Sequence, residues 1–173
     1  MVADSRTCPP GDDSLVLRSL PGTIVNHSNQ AEALFLRGYN CAQATAAAFA
    51  DDFGLEPSWV LRSMAGFGAG LGGLRETCGA VSAMAYLAGL QAGTYAPEDI
   101  AAKTALYDRV QQMVREFIEL HGTTCCRELL EKAGCPAHPD PSQRTAEYYA
   151  SRPCARIVAS AAEIISRTLL PPR

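Results

Sequence analysis

No stretch of this chain is both apolar and long enough to cross a bilayer. The longest apolar run, residues 78–90, falls short of the ~20 residues that a spanning helix needs. The opening residues, Met1-Val2-Ala3-Asp4-Ser5-Arg6, lack the apolar core of a secretory signal, so the sequence reads as cytoplasmic, with no membrane partner. Positive charge is in short supply as well. Against 18 Asp and Glu stand 15 Lys and Arg, a net charge of −3, with no basic run and no stripe of interleaved aromatics. A nucleic-acid partner held by charge is thereby excluded. Period-two alternation is missing, so no strand is expected, and no internal repeat is found. Histidine is scarce, with three in the chain, and no Ser-His-Asp or Cys-His-Asn set can be assembled around a local nucleophile signal.

What the chain does have is cysteine, seven in 173 residues. A cytoplasmic setting argues against structural disulfides, and an odd count fits a fully paired framework poorly. Metal, redox or catalytic roles remain. Four of the seven stand where the sequence predicts the first turn of a helix. Cys41 follows Asn40, Cys78 follows Thr77, Cys126 follows Thr123-Thr124, and Cys154 follows Ser151-Arg152-Pro153. A helix start presents unpaired N–H groups and the positive end of the helix dipole, which favour thiolate over thiol. A single buried cysteine is an ordinary small hydrophobe. Burial does not explain four at helix starts, and their dispersal suggests helix ends converging on one electron-rich centre.

The length fits one domain with a real core. Residues 1–28, with Cys8-Pro9-Pro10-Gly11 and Pro21-Gly22, read as a poorly ordered leader before a helical domain over 29–170. Within it the expected helices are 31–36, 41–53 with an Asn40/Gln43 capping box, 58–64 after Pro57, and 78–91 capped by Thr77. Three more follow: 97–121 stopped by Gly122, 125–132, and 154–169. Leu106, Val110, Met113, Val114, Phe117 and Leu120 recur on one face of the longest helix, and Glu163 and Arg167 form a favourable pair four apart in the last. A proline-rich loop (Pro136, Pro139, Pro141) precedes that last helix. The fold class is all-α, a single-domain helical bundle with cysteines at helix N-termini.

Other motifs have bland readings. Gly68-x-Gly70-x-x-Gly73 has the dinucleotide spacing but follows predicted helix and has no acid ~20 residues on, so it reads as a tight interhelical turn. Its main-chain N–H groups could also approach a bound anion or cluster. Cys135-Pro136-Ala137-His138 mimics half a zinc site, yet zinc ribbons want two tight pairs. His121 suits a helix C-terminus without any metal. Trp59 and Tyr148-Tyr149 read as core or interface anchors. Ala44, Ala47 and Ala48 permit close helix packing, either within the chain or in a homo-oligomer.

Tyr39-Asn40-Cys41-Ala42-Gln43-Ala44, Gly66-Phe67-Gly68-Ala69-Gly70, Glu76-Thr77-Cys78-Gly79-Ala80-Val81-Ser82, Cys126-Arg127-Glu128-Leu129-Leu130 and Cys154 at the start of the last helix occur in that order. Taken together, the chain resembles the C-GCAxxG-C-C family of redox-active proteins, a relative of which forms part of the split-Soret cytochromes. The resemblance spans about 29–167. It implies a helical domain in which Cys41, Cys78, Cys126 and Cys154 hold an iron–sulfur cluster or act in thiol redox chemistry. Ala83 stands where the motif closes with glycine, and Cys8, Cys125 and Cys135 are additional. No Cys-x-x-Cys-His haem attachment is present, so the cytochrome activity does not carry over.

The leading expectation is therefore an iron–sulfur cluster of the two-iron (2Fe-2S) type on Cys41, Cys78, Cys126 and Cys154. Gly79 would contribute a main-chain N–H to its sulfurs, and an unidentified redox partner protein would exchange electrons or sulfur with it. The alternatives are a cofactor-free thiol–disulfide oxidoreductase using two of the four, and a structural zinc site using all four. Cys8, Cys125 and Cys135 are expected to be dispensable.

Overall fold

Small side chains let this bundle close. The computed structural model describes residues 26–135, 137–138 and 141–170. Its helices are α1 (His27–Leu36), α2 (Cys41–Ala47), α3 (Pro57–Ser63), α4 (Gly79–Ala92), α5 (Ile100–His121), α6 (Cys126–Glu131), α7 (Ala146–Ser151) and α8 (Cys154–Leu169). Among the described residues the only β feature is an isolated antiparallel bridge between Thr77 and Cys125, so the fold is all-α. No described helix is long and apolar enough to cross a membrane.

The short α2 is the hub. Ala42, Ala44, Ala46 and Ala47 are buried and let α1, α3, α4 and α8 approach its backbone closely. Ala44, Ala47 and Ala48 are therefore spent on packing within the chain. The capping box forms as expected: Asn40 Oδ1 accepts from Gln43 N at 2.9 Å, and Gln43 Oε1 accepts from Asn40 N at 3.1 Å. The helix ends at Ala47, and turns carry the chain on to Gly54, where the sequence suggested helix to residue 53. Across from α2, α8 supplies a continuous apolar stripe (Ile157, Val158, Ala161, Ile164, Ile165, Leu169) that packs on α1, α2, α4 and α5. Its bounds are those read from the sequence.

Several expectations need correction. The first helix begins at His27, four residues before the expected start, with Asn26 as its cap. His27 is buried, stacked on Phe49 and bonded through Nε2 to Asp52 Oδ2 at 2.7 Å, so this histidine anchors α1 to the turn after α2. The rest of the expected leader, Cys8 included, lies outside the described residues, as do Pro136 and Pro139. Cys78, not Thr77, is the N-cap of α4. Leu120 is 60% exposed, so the apolar face of α5 ends at Phe117. Arg167 reaches Glu116 on α5 at 2.8 Å instead of pairing with Glu163, which accepts from Ser28 Oγ. Trp59 is exposed. The helix α7, capped by Thr145, went unread because proline dominated its surroundings.

Candidate site: a cavity lined by four cysteines

Each of the four cysteines occupies the edge of its helix. Cys41, Cys126 and Cys154 are the first residues of α2, α6 and α8, and Cys78 is the N-cap of α4. Their helix starts converge because two segments run side by side. Cys78 N donates to Thr124 O at 2.8 Å, Cys126 N to Glu76 O at 2.6 Å, and Arg127 N to Arg75 O at 3.0 Å. This short ladder brings the starts of α4 and α6 together, while the packing of α2 and α8 on α4 brings the other two. All four cysteines line one cavity of about 340 Å³.

The glycine-rich segment is a turn, as its composition suggested, and it forms the cavity's floor. Ala69, Gly70, Leu71, Gly72 and Gly73 all have positive φ, between 53° and 92°. Glycine tolerates this; Ala69 and Leu71 carry strain there, the kind of strain that clusters at functional sites. Hydrogen bonds from Gly72 N to Gly66 O and from Glu76 N to Gly70 O hold the turn. Two glycines have a steric reason. A Cβ on Gly79 would lie 2.6 Å from Cys41 Sγ, and one on Gly70 would lie 2.7 Å from Cys126 Cβ. Gly79 thus permits the Cys41 sulfur to rest against the start of α4.

The electrostatics divide the four thiols. Cys41 is lowered to about 6, first by the thiol hydrogen bond from Cys78, then by backbone hydrogen bonds from Ala69, Gly79 and Ala42, all against the cost of burial. Cys78 is raised well above its ordinary value because it donates to Cys41, is buried, and faces that sulfur's charge. Cys126 is raised by burial and by Cys41, with Arg75 acting in the opposite sense. Burial pushes Cys154 up to about 12, helped by Cys41 and Cys126 and opposed by Arg152 and Arg144. Cys78 is the donor and Cys41 the acceptor of this pair, so the two thiols titrate as a unit.

The remaining cavity wall is informative. Among the described residues it contains Arg75, Arg144 and Arg152 but no Asp or Glu. Arg144 and Arg152 stack on Tyr148, each 4.6 Å from its ring centroid. Sequence reasoning missed the three arginines, since an arginine in a loop looks like solvated surface, and read Tyr148 only as a core or interface anchor. The extra cysteines separate. Cys125 points away, its Sγ toward Arg75 O at 3.6 Å. Cys135 is buried, not a loose loop thiol: it packs in a satellite cluster with Cys126 and Leu130, against Cys154, and donates to Ser151 O at 3.0 Å. His138 meets Arg75 through its carbonyl. His121 is half-buried beside Ser160 Oγ and is lowered by burial and Arg156. Among the described residues no three His, Cys, Asp or Glu side chains gather to hold a single metal ion.

Over residues 39–168, a stretch containing all four cavity cysteines, the chain matches the family model described as "Putative redox-active protein (C_GCAxxG_C_C)". No curated protein and no solved structure matches it. The chain belongs to this C-GCAxxG-C-C family of redox-active proteins.

Proposed function

We propose that the cavity is a redox centre holding one iron–sulfur cluster, of the two-iron (2Fe-2S) type, on Cys41, Cys78, Cys126 and Cys154, and that the chain exchanges electrons with a partner redox protein. One observation carries this reading: four thiols from four helix starts line a single cavity whose wall, among the described residues, holds three arginines and no carboxylate. Dithiol chemistry needs only two of them. A single zinc ion needs its thiolates to meet at one point, and among the described residues no three His, Cys, Asp or Glu side chains gather in that way. The donor set also fits, because four thiolates are what such a cluster takes, and its negative charge suits helix N-termini and guanidinium groups.

A bound cluster supplies reversible one-electron uptake. The chain's own residues define its setting. Asn40 fixes the start of α2 and so the place of Cys41. Backbone groups of Ala69, Gly79 and Ala42 are aimed at the Cys41 sulfur. Phe35, Leu129 and Ile157 give the wall an apolar part that limits water. Ligation requires Cys78, Cys126 and Cys154 to release protons that burial holds, so loading should acidify an unbuffered solution.

Anaerobic purification with iron and sulfide analysis, before and after reconstitution, tests the reading. Visible absorbance with both elements is expected, lost on Ser substitution at any of the four and kept in Cys125→Ser. A protein that stays colourless and free of both elements after reconstitution sinks it. The hydrogen bond between Cys41 and Cys78 favours a second reading, in which the Cys41 thiolate attacks a disulfide of a partner, releasing one partner thiol, and Cys78 resolves the mixed disulfide, releasing the other and leaving Cys41–Cys78 oxidised. That reading expects one reversible disulfide and no metal.

A further inference from the structure

Arg75 is 6% exposed in the cavity wall, beside Cys126. Its guanidinium donates through Nε at 2.8 Å, and through Nη2, to the His138 carbonyl oxygen, and its hydrogen bond and charge also act on the Cys126 sulfur. The ion pairs found among the described residues, His27–Asp52 and Arg167–Glu116, do not include it. A carbonyl offers a dipole and no counter-charge, and a buried ion without one is strongly unfavourable. Its backbone is strained as well, with φ at +63°. Arg144 and Arg152 do not share this position: Arg144 is exposed, Arg152 is half-buried, and both are held on Tyr148 toward Cys154, where water screens them.

We propose that Arg75 is the internal counter-ion of the redox centre. Its fixed charge compensates the negative charge that gathers at Cys126 and raises the centre's reduction potential, because the reduced state carries one more negative charge in a low-dielectric wall. The proposal rests on the reading of the cavity as a four-thiolate redox centre.

Arg75→Lys and Arg75→Met separate charge from shape, since both keep an unbranched chain on the same left-handed backbone. If Arg75→Met does not fold, Arg75→Gln, which keeps a donor for the His138 carbonyl, takes its place. In reconstituted protein, removing the charge should shift the reduced-to-oxidised ratio at fixed potential by about tenfold toward oxidised, a fall of about 59 mV for one electron. The lysine variant should stay close to wild type. Equal potentials in the lysine and neutral variants overturn the proposal while leaving the cluster intact. Metal-free protein gives an independent readout. Alkylation of Cys126 at fixed pH should be several-fold slower without the charge and restored by lysine. If wild type takes up no cluster, the functional reading fails on its own, and equal Cys126 rates in the two variants overturn the role of Arg75.

Discussion

At the residue scale, a shared pattern of four cysteines conceals unequal chemistry. Cys41 is the acidic thiol of the group, while Cys78, which donates to it, and Cys126 and Cys154, through burial and its charge, are all pushed up. In reduced, metal-free protein, Cys41 is expected to be alkylated first, its rate rising through a midpoint near pH 6, while Cys154 stays unmodified well above its ordinary value of 9.0. Mass spectrometry of the alkylated peptides against pH checks this, and Cys78→Ala, which removes the donor, tests the source by weakening the depression of Cys41. The sulfur of Cys41 also dictates its neighbour. Gly79→Ala would set a methyl 2.6 Å from that sulfur and 2.8 Å from Phe67 O. Such overpacking should cost about 1–3 kcal/mol in denaturant unfolding, and it should reduce cluster occupancy by displacing Cys41.

At the scale of elements, short helices work as brackets for single residues. With seven residues, α2 is too short to be stable alone, so its start is secured by side-chain caps and its body by burial. Asn40 caps that start and also donates through Nδ2 to Ala65 O at 2.9 Å, tying α2 to the glycine-rich turn. Asn40→Ala should lower stability by about 1 kcal/mol, measured by urea titration, and should broaden the pH dependence of Cys41 alkylation as the helix start loosens. The segment between α6 and α8 is tied by Cys135. Its sulfur donates to Ser151 O, and a serine keeps that donor. Cys135→Ser is therefore expected to leave the four-cysteine chemistry intact, with a loss of about 1 kcal/mol for the smaller, more polar side chain, read from the same titration.

On the scale of the whole molecule, burial around the cavity makes stability a function of pH. The folded state depresses Cys41, so the unfolded chain binds more protons between about 6 and 9.0, and stability rises with pH across that window. Cys78, Cys126 and Cys154 are all raised, so above 9.0 the folded state binds more protons and stability falls again. Metal-free, reduced protein should show both limbs in denaturant midpoints. Cys41→Ser should flatten the lower one, and Cys154→Ser should make the upper one shallower without removing it. The fold class and the bounds of α8 were legible in the sequence because local signals sufficed: an apolar period of 3.6, caps, and stops such as Gly122. Asn40 with Gln43 announced the start of α2, and four cysteines at helix edges announced a shared centre, because capping and helix dipoles are properties of a few adjacent residues. Tertiary structure alone decided what those edges meet. The ladder between residues 75–78 and 124–127, the burial of Arg75 and Cys135, the Arg167–Glu116 pair and the inequality of the four thiols all arise from segments distant along the chain. No local pattern encodes them, since burial and the charges facing a group exist only once the bundle has closed.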